Sequence, residues 1–258
     1  MVKKKKDEIN LESGGEHRKN LKKLIFQVSS KYDIWQVFSD FCQLSAITLA
    51  NSSDPHHVFV PKEIWDERED TYKKVIGKYE KETQGLFSKM FASLIDELQD
   101  CLVRRETYED VLGPVFHDLN LRSKWSGQFF TPNHICNLMG RILDGSEENQ
   151  EYDKFLEEKG YVSLAESCCG SGALILGYAD SMYRNKKKPS KELCVYAADL
   201  DEKCVWMTYI QLSLYGIPAI VQNQNSLTME TFGHKWYTPA FIWDGWPIKL
   251  SLENQKSA

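Results

Sequence analysis

A chain of 258 residues, 42 % of them hydrophobic, is long enough for one large folded unit or two small ones with a proper core. Its formal net charge of -5 argues against a free-standing nucleic-acid binder, which carries a basic excess. No apolar run reaches the roughly 18 to 20 residues that span a bilayer, and the opening MVKKKKDEIN has no apolar segment behind its lysines, so a cytoplasmic protein without a membrane segment is expected.

Residues 1–20 are polar, charged and glycine-containing, and are expected to form a disordered tail. Residues 21–120 read as helical. Leu24, Ile25 and Val28, then Trp35, Phe38, Phe41, Cys42 and Ile47, recur at helical spacing, and Val75, Tyr79, Leu86, Met90, Leu94, Ile95 and Leu98 do so again. Asn51-Ser52-Ser53-Asp54-Pro55 punctuates the first blocks, because Asn and Asp favour caps and proline cannot continue a helix. The seven cysteines include no C-x-x-C pair, which predicts reduced thiols and no metal site.

The period then changes. Residues 161–166 (YVSLAE), 193–199 (LCVYAAD) and 219–224 (AIVQNQ) are short apolar runs, each followed by a turn signal. Helical segments lie between them, Ala173 to Tyr183 and Asp201 to Tyr215, the second capped by Asp201 and stopped by Gly216. This order, β-α-β-α-β, predicts a parallel sheet with helical crossovers, in which ligands bind beyond the carboxyl ends of the strands.

Those strand ends carry a consistent chemistry. The first ends at Glu166 and breaks into Ser167-Cys168-Cys169-Gly170-Ser171-Gly172, where glycines let the backbone turn sharply and let a ligand approach main-chain N–H groups at a helix start. The second ends at Asp199, a carboxylate able to accept from both hydroxyls of a ribose. The third ends near Asn225, whose amide presents a donor and an acceptor to an adenine edge. A nucleoside-bearing cofactor fits this set. The dinucleotide fingerprint does not, because Gly170-x-Gly172-x-x-Ile175 lacks its third glycine and Asp199 lies 27 residues after Gly172. S-adenosylmethionine fits better, with Glu166 offered to the methionine ammonium. Taken singly, Phe129 and Phe130 read as core, Asp199 as the start of a helix and Glu166 as a strand-end salt bridge. Their shared order carries the cofactor reading.

GQFFTP at 127–132, ESCCGSGALIL from Glu166, YAADLDEKC and YGIPAIVQNQNSL resemble, in that order, the cofactor-binding half of N6-adenine DNA methyltransferases of the type I restriction-modification kind, over about residues 108–241. The resemblance implies an α/β protein: a Rossmann-like S-adenosylmethionine-dependent methyltransferase sheet, present in part over residues 121–258, preceded by an all-helical N-terminal region. It implies further that Phe129, Phe130, Thr131 and Pro132 fold over the methionine end of the cofactor. Glu166 with Gly170, Ser171 and Gly172 would hold the amino acid, Asp199 the ribose and Asn225 the adenine amino group. In that family an Asn- or Asp-Pro-Pro-aromatic turn after the fourth strand accepts from the flipped adenine's amino group and stacks on the base. Here Thr238-Pro239-Ala240-Phe241 stands at the expected place, so Thr238, Pro239 and Phe241 are the candidate catalytic residues, with Thr in place of the acceptor and Ala in place of the second proline.

Two functions follow. One is an S-adenosylmethionine-dependent DNA adenine N6-methyltransferase, or its cofactor-binding subunit. The other is a catalytically silent relative with a regulatory or interaction role. Only 17 residues follow Phe241, so the sheet is expected to be partial, its open edge covered by the N-terminal helices, a partner subunit or a second copy. DNA is the expected partner, met directly or through that second chain. Arg184, Lys186, Lys187, Lys188 and Lys191 form a basic loop for phosphate or for solvent, and Trp236, Trp243 and Trp246 could stack on a base or pack a core.

Overall fold

A computed structural model describes residues 9–121, 130–144 and 150–256. Helix α1 (Glu16–Val28) begins inside the stretch expected to be a tail. The residues before it are anchored: buried Lys22 donates to the carbonyls of Asn10 and Ser13 at 2.8 and 2.9 Å and pairs with Asp118 at 2.7 Å. A charged composition concealed these contacts because they join distant segments.

Helix α2 (Ile34–Ser53) starts at Asp33, whose side chain accepts from Gln36 N–H at 2.9 Å. It stops at Asp54, whose carboxylate accepts from the N–H groups of Val58, Phe59 and Val60 at 2.8–2.9 Å. Burial alone would raise this carboxyl's pKa, but the three donors together hold it below its ordinary value. The apolar run from Val75 to Leu98 is split by Gly77 into the end of α3 (Lys62–Ile76) and α4 (Lys81–Gln99). A π-helical turn, Asp100–Arg104, and the short α5 (Leu112–Asp118) complete the first half.

Helices α6 (Asn133–Asp144) and α7 (Gln150–Lys159) precede β1 (Val162–Glu166). Then follow α8 (Ala173–Arg184), α9 (Pro189–Glu192), β2 (Leu193–Asp199), α10 (Glu202–Leu214) and β3 (Ala219–Asn225), all but the short α9, which falls in the expected basic loop, within a residue or two of the sequence-based bounds. The last elements are β4 (Glu230–Tyr237), α11 (Pro239–Trp243) and α12 (Trp246–Lys256). The sheet runs in the order β1-β2-β3-β4. The first three strands are parallel, with Ala165 beside Tyr196 and Tyr196 beside Ile220. Strand β4 is antiparallel to β3, a hairpin partner that reverses direction at the edge.

The expected boundary near residue 120 is not a break in the core. One hydrophobic cluster runs from Leu21 and Phe38 through Leu112 and Phe116 to Val195, Ile210 and Val221. Helix α10 causes this continuity. Its residues from Lys203 to Ser213 are all buried, because the sheet lies on one side and α2 on the other. A helix apolar on every side must be covered on every side, so the helical half completes the core of the sheet half.

Candidate functional site

The turn after β1 has the backbone its glycines were expected to supply. Gly170 and Gly172 have φ of 56° and 89°, the left-handed region that side chains disfavour, and Gly172 is the N-cap of α8. The ring of Phe130 lies over this turn, so that a Cβ on Gly170 would stand 3.1 Å from it. Phe130 is held in turn by its N–H donating to His117 Nε2 at 3.1 Å and by edge contact with Phe116, ring centroids 5.1 Å apart. Thr131 and Pro132 lead directly into α6, where the Pro132 carbonyl accepts from Ile135 N–H at 2.9 Å. Phe129 lies outside the described residues.

Glu166 and Asp199 stand at the carboxyl ends of adjacent parallel strands. Glu166 Oε1 accepts from Cys168 N–H at 3.0 Å. Asp199 accepts from Gly170 N–H at 2.8 Å and from Asp201 N–H at 2.9 Å, so the acid of the second strand also braces the turn of the first. Burial raises the Asp199 carboxyl above its ordinary pKa, against these backbone donors. Ser226 bonds the carbonyl of Ser167, which brings the β3–β4 hairpin against the same turn. Beside Glu166 and Ser167 a groove of about 500 Å³ opens over the second face of the sheet, past Tyr196, Ile220 and Gln224.

Three of the expected roles meet a different geometry. The Ser171 hydroxyl faces inward and donates to Asp110 Oδ2 at 2.6 Å, so its side chain is not presented to a ligand. Asn225 Oδ1, the atom expected to accept from adenine, is taken by the N–H groups of Leu227 and Thr228 at 3.0 and 3.2 Å, which shape the hairpin turn. Thr238, Pro239 and Phe241 lie at the other pole of the sheet. Because β4 is antiparallel, its carboxyl end meets the amino end of β3. There Thr238 Oγ1 accepts from Ala219 N–H at 2.8 Å and donates to the Ile217 carbonyl at 2.9 Å, fully buried. Pro239 opens α11, and Phe241 packs with Tyr161, Cys194 and Trp246 in a small satellite core. The reversed direction of β4 thus sets this segment at the pole of the sheet opposite Glu166 and the glycine turn.

The basic loop is largely neutralised: Arg184 pairs with Asp180 at 2.6 Å, Lys187 with Asp144 at 2.8 Å and Lys191 with Asp244 at 3.0 Å. Trp246 is core, Trp236 lies under the Arg68 guanidinium at 4.4 Å, and Trp243 is largely exposed while donating to the Ser53 carbonyl. None of the seven cysteines is in a disulfide, and burial pushes the Cys101 and Cys136 thiols up to about 11. Among the described residues no helix is long and apolar enough to cross a membrane.

Sequence reasoning missed the residues that hold the glycine turn from behind, Asp110, Thr208 and Gln211. The one legible sign was Gln211, a carboxamide among the apolar neighbours Tyr209, Ile210 and Leu212 of helix α10.

Three parallel strands and an antiparallel fourth, with a glycine turn opening a helix at the end of the first strand and an acid at the end of the second, define a Rossmann-like α/β protein. The chain matches the N-6 DNA Methylase family over residues 106–241, more than half its length, and belongs to that family. Among solved structures it is similar to the type I restriction-modification system methyltransferase subunit from Streptococcus thermophilus, at 16% identity and a TM-score of 0.38. That likeness covers 82% of this chain and 52% of the other, so the chain spans about half the length of that subunit. No curated protein matches it.

Proposed function

We propose that this chain is the S-adenosylmethionine-binding unit of a cytoplasmic enzyme that methylates N6 of adenine in DNA. The observation that carries the reading is the left-handed turn at Gly170 and Gly172, roofed by Phe130 and braced by Asp199 at the next strand end. Bound there, S-adenosylmethionine would supply a methyl group on a positively charged sulfur, open to direct attack by an amine nitrogen. Glu166 would bind the methionine ammonium, and Gly170 to Gly172 would offer main-chain groups to its carboxylate. Asp199 would accept from the ribose hydroxyls with the lone pairs its two backbone donors leave over. Phe129, Phe130, Thr131 and Pro132 would exclude water from the methionine end. Asn225 would turn its amide donor, rather than its oxygen, toward the adenine.

The groups that receive and orient the target base would come from a partner subunit, because Thr238 and Phe241 are committed to the opposite pole. The same placement favours a second reading, a silent relative that keeps the fold for a regulatory or interaction role. Calorimetric titration with S-adenosylmethionine separates the two. Saturable binding by the chain alone, without methyl transfer to adenine-containing DNA, is the expected result. No binding would overturn the proposal in favour of the silent relative, and radiolabel appearing on adenine N6 with this chain alone would overturn the need for a partner.

A further inference from the structure

The glycine turn is gripped at Gly170 and Ser171 by side chains from elsewhere. Gly170 donates to Asp199 at 2.8 Å, and its carbonyl accepts from Thr208 Oγ1 at 3.0 Å. The Ser171 carbonyl accepts from Gln211 Nε2 at 2.7 Å, while its hydroxyl donates to Asp110 at 2.6 Å. Gly172 N–H closes the turn on the Cys169 carbonyl at 2.7 Å.

Asp110 is the member that does not belong to the sheet half. It is 1% exposed, and its Oδ1 accepts from Gly113 N–H and from Gln211 Nε2, both at 2.9 Å. Its carbonyl accepts from Asn133 Nδ2 at 3.1 Å, the residue that opens α6 directly after Phe130, Thr131 and Pro132. The fit is tight, since a Cβ on Gly113 would stand 2.1 Å from Asp110 Oδ2 and 2.8 Å from Ser171 Oγ. A buried carboxylate is a costly way to fill space, and well-packed apolar groups generally do so at least as stably. What a carboxylate adds is direction: its oxygens fix the rotation of Ser171 and the plane of the Gln211 amide, and through them the peptide planes of the turn.

We infer that Asp110 is a positioning residue for the cofactor site, setting the Gly170–Gly172 turn through Ser171 and Gln211 and tying it to the Phe130–Pro132 segment through Asn133. Its purpose rests on the cofactor reading above; the grip itself does not, and the experiment treats the two separately.

The test uses the full chain with Asp110→Ala, which removes both carboxylate acceptors, and with Ser171→Ala, which removes only the hydroxyl. Amide hydrogen exchange at Gly170 and Gly172 should quicken about tenfold in either variant, while Gly216, hydrogen-bonded to Ser213 at 3.1 Å, keeps its rate. Affinity for S-adenosylmethionine should fall about tenfold in each, and the double variant should be no weaker than either single one, as for residues acting as one unit. Unchanged exchange in the turn would overturn the inference. So would equal acceleration at Gly216, or a lowered melting temperature with affinity kept, since both describe packing alone. If the unmodified chain binds no S-adenosylmethionine, the cofactor reading fails and the exchange comparison alone decides whether Asp110 sets the turn.

Discussion

Thr238→Val replaces a hydroxyl by a methyl in a site with no exposure, and so tests whether the Thr238-Phe241 segment serves structure or chemistry. The backbone bond from Thr238 N–H to the Ala219 carbonyl, 3.0 Å, survives the change. The hydroxyl's own two bonds do not. Leaving Ala219 N–H buried without its acceptor costs about 1–3 kcal/mol, and losing the bond to the Ile217 carbonyl about 0.5–1.5 kcal/mol. The expected loss is therefore about 1.5–4.5 kcal/mol, a large part of a domain's stability. Urea unfolding followed by circular dichroism reads it, with calorimetry on the folded variant expected to show S-adenosylmethionine affinity unchanged within about twofold. A stability loss below about 0.5 kcal/mol together with collapse of cofactor binding or methyl transfer would refute the reasoning and return Thr238 to the active site.

Phe241→Ala, in the satellite core with Tyr161 and Trp246, should lose about 3–5 kcal/mol by the same unfolding assay and leave cofactor affinity in place. Asp199→Ala should weaken S-adenosylmethionine binding about ten- to a hundredfold with the circular-dichroism spectrum intact, because hydrogen bonds to a charged group contribute about 1.5–3 kcal/mol. Since burial raises the Asp199 carboxyl, cofactor affinity should be full above that raised pKa and decline as pH falls through it, at a higher pH than for an ordinary aspartate, and Asp199→Asn should flatten the profile. Asp54 is held below its ordinary value, so its contribution to stability is present above the unfolded-state pKa and is lost as pH falls through the folded one; Asp54→Asn should make that acid limb of a stability–pH curve shallower.

The local elements were legible in the sequence because their causes are local. Alternation and apolar runs define β1, β2 and β3; Asp201 and Gly216 bound α10; glycines at 170 and 172 announce a left-handed turn at a strand end. The order of these elements also led to the family, since a glycine turn, a strand-end acid and an FTP segment follow one another in a fixed sequence. Only the tertiary structure decided what each polar group faces. The direction of β4 depends on pairing with β3, a choice that its own eight residues do not encode, and that reversal moved Thr238 and Phe241 to the far pole. Asp110 and Ser171 are 61 residues apart, and nothing near either reveals that the folded chain closes one upon the other. Burial of α10 on all sides likewise required knowing that α2 covers what the sheet leaves open. Periodicity and turn chemistry act over a few residues and can be read along the chain, whereas hydrogen-bond partners and strand direction are set by contacts between segments that only folding brings together.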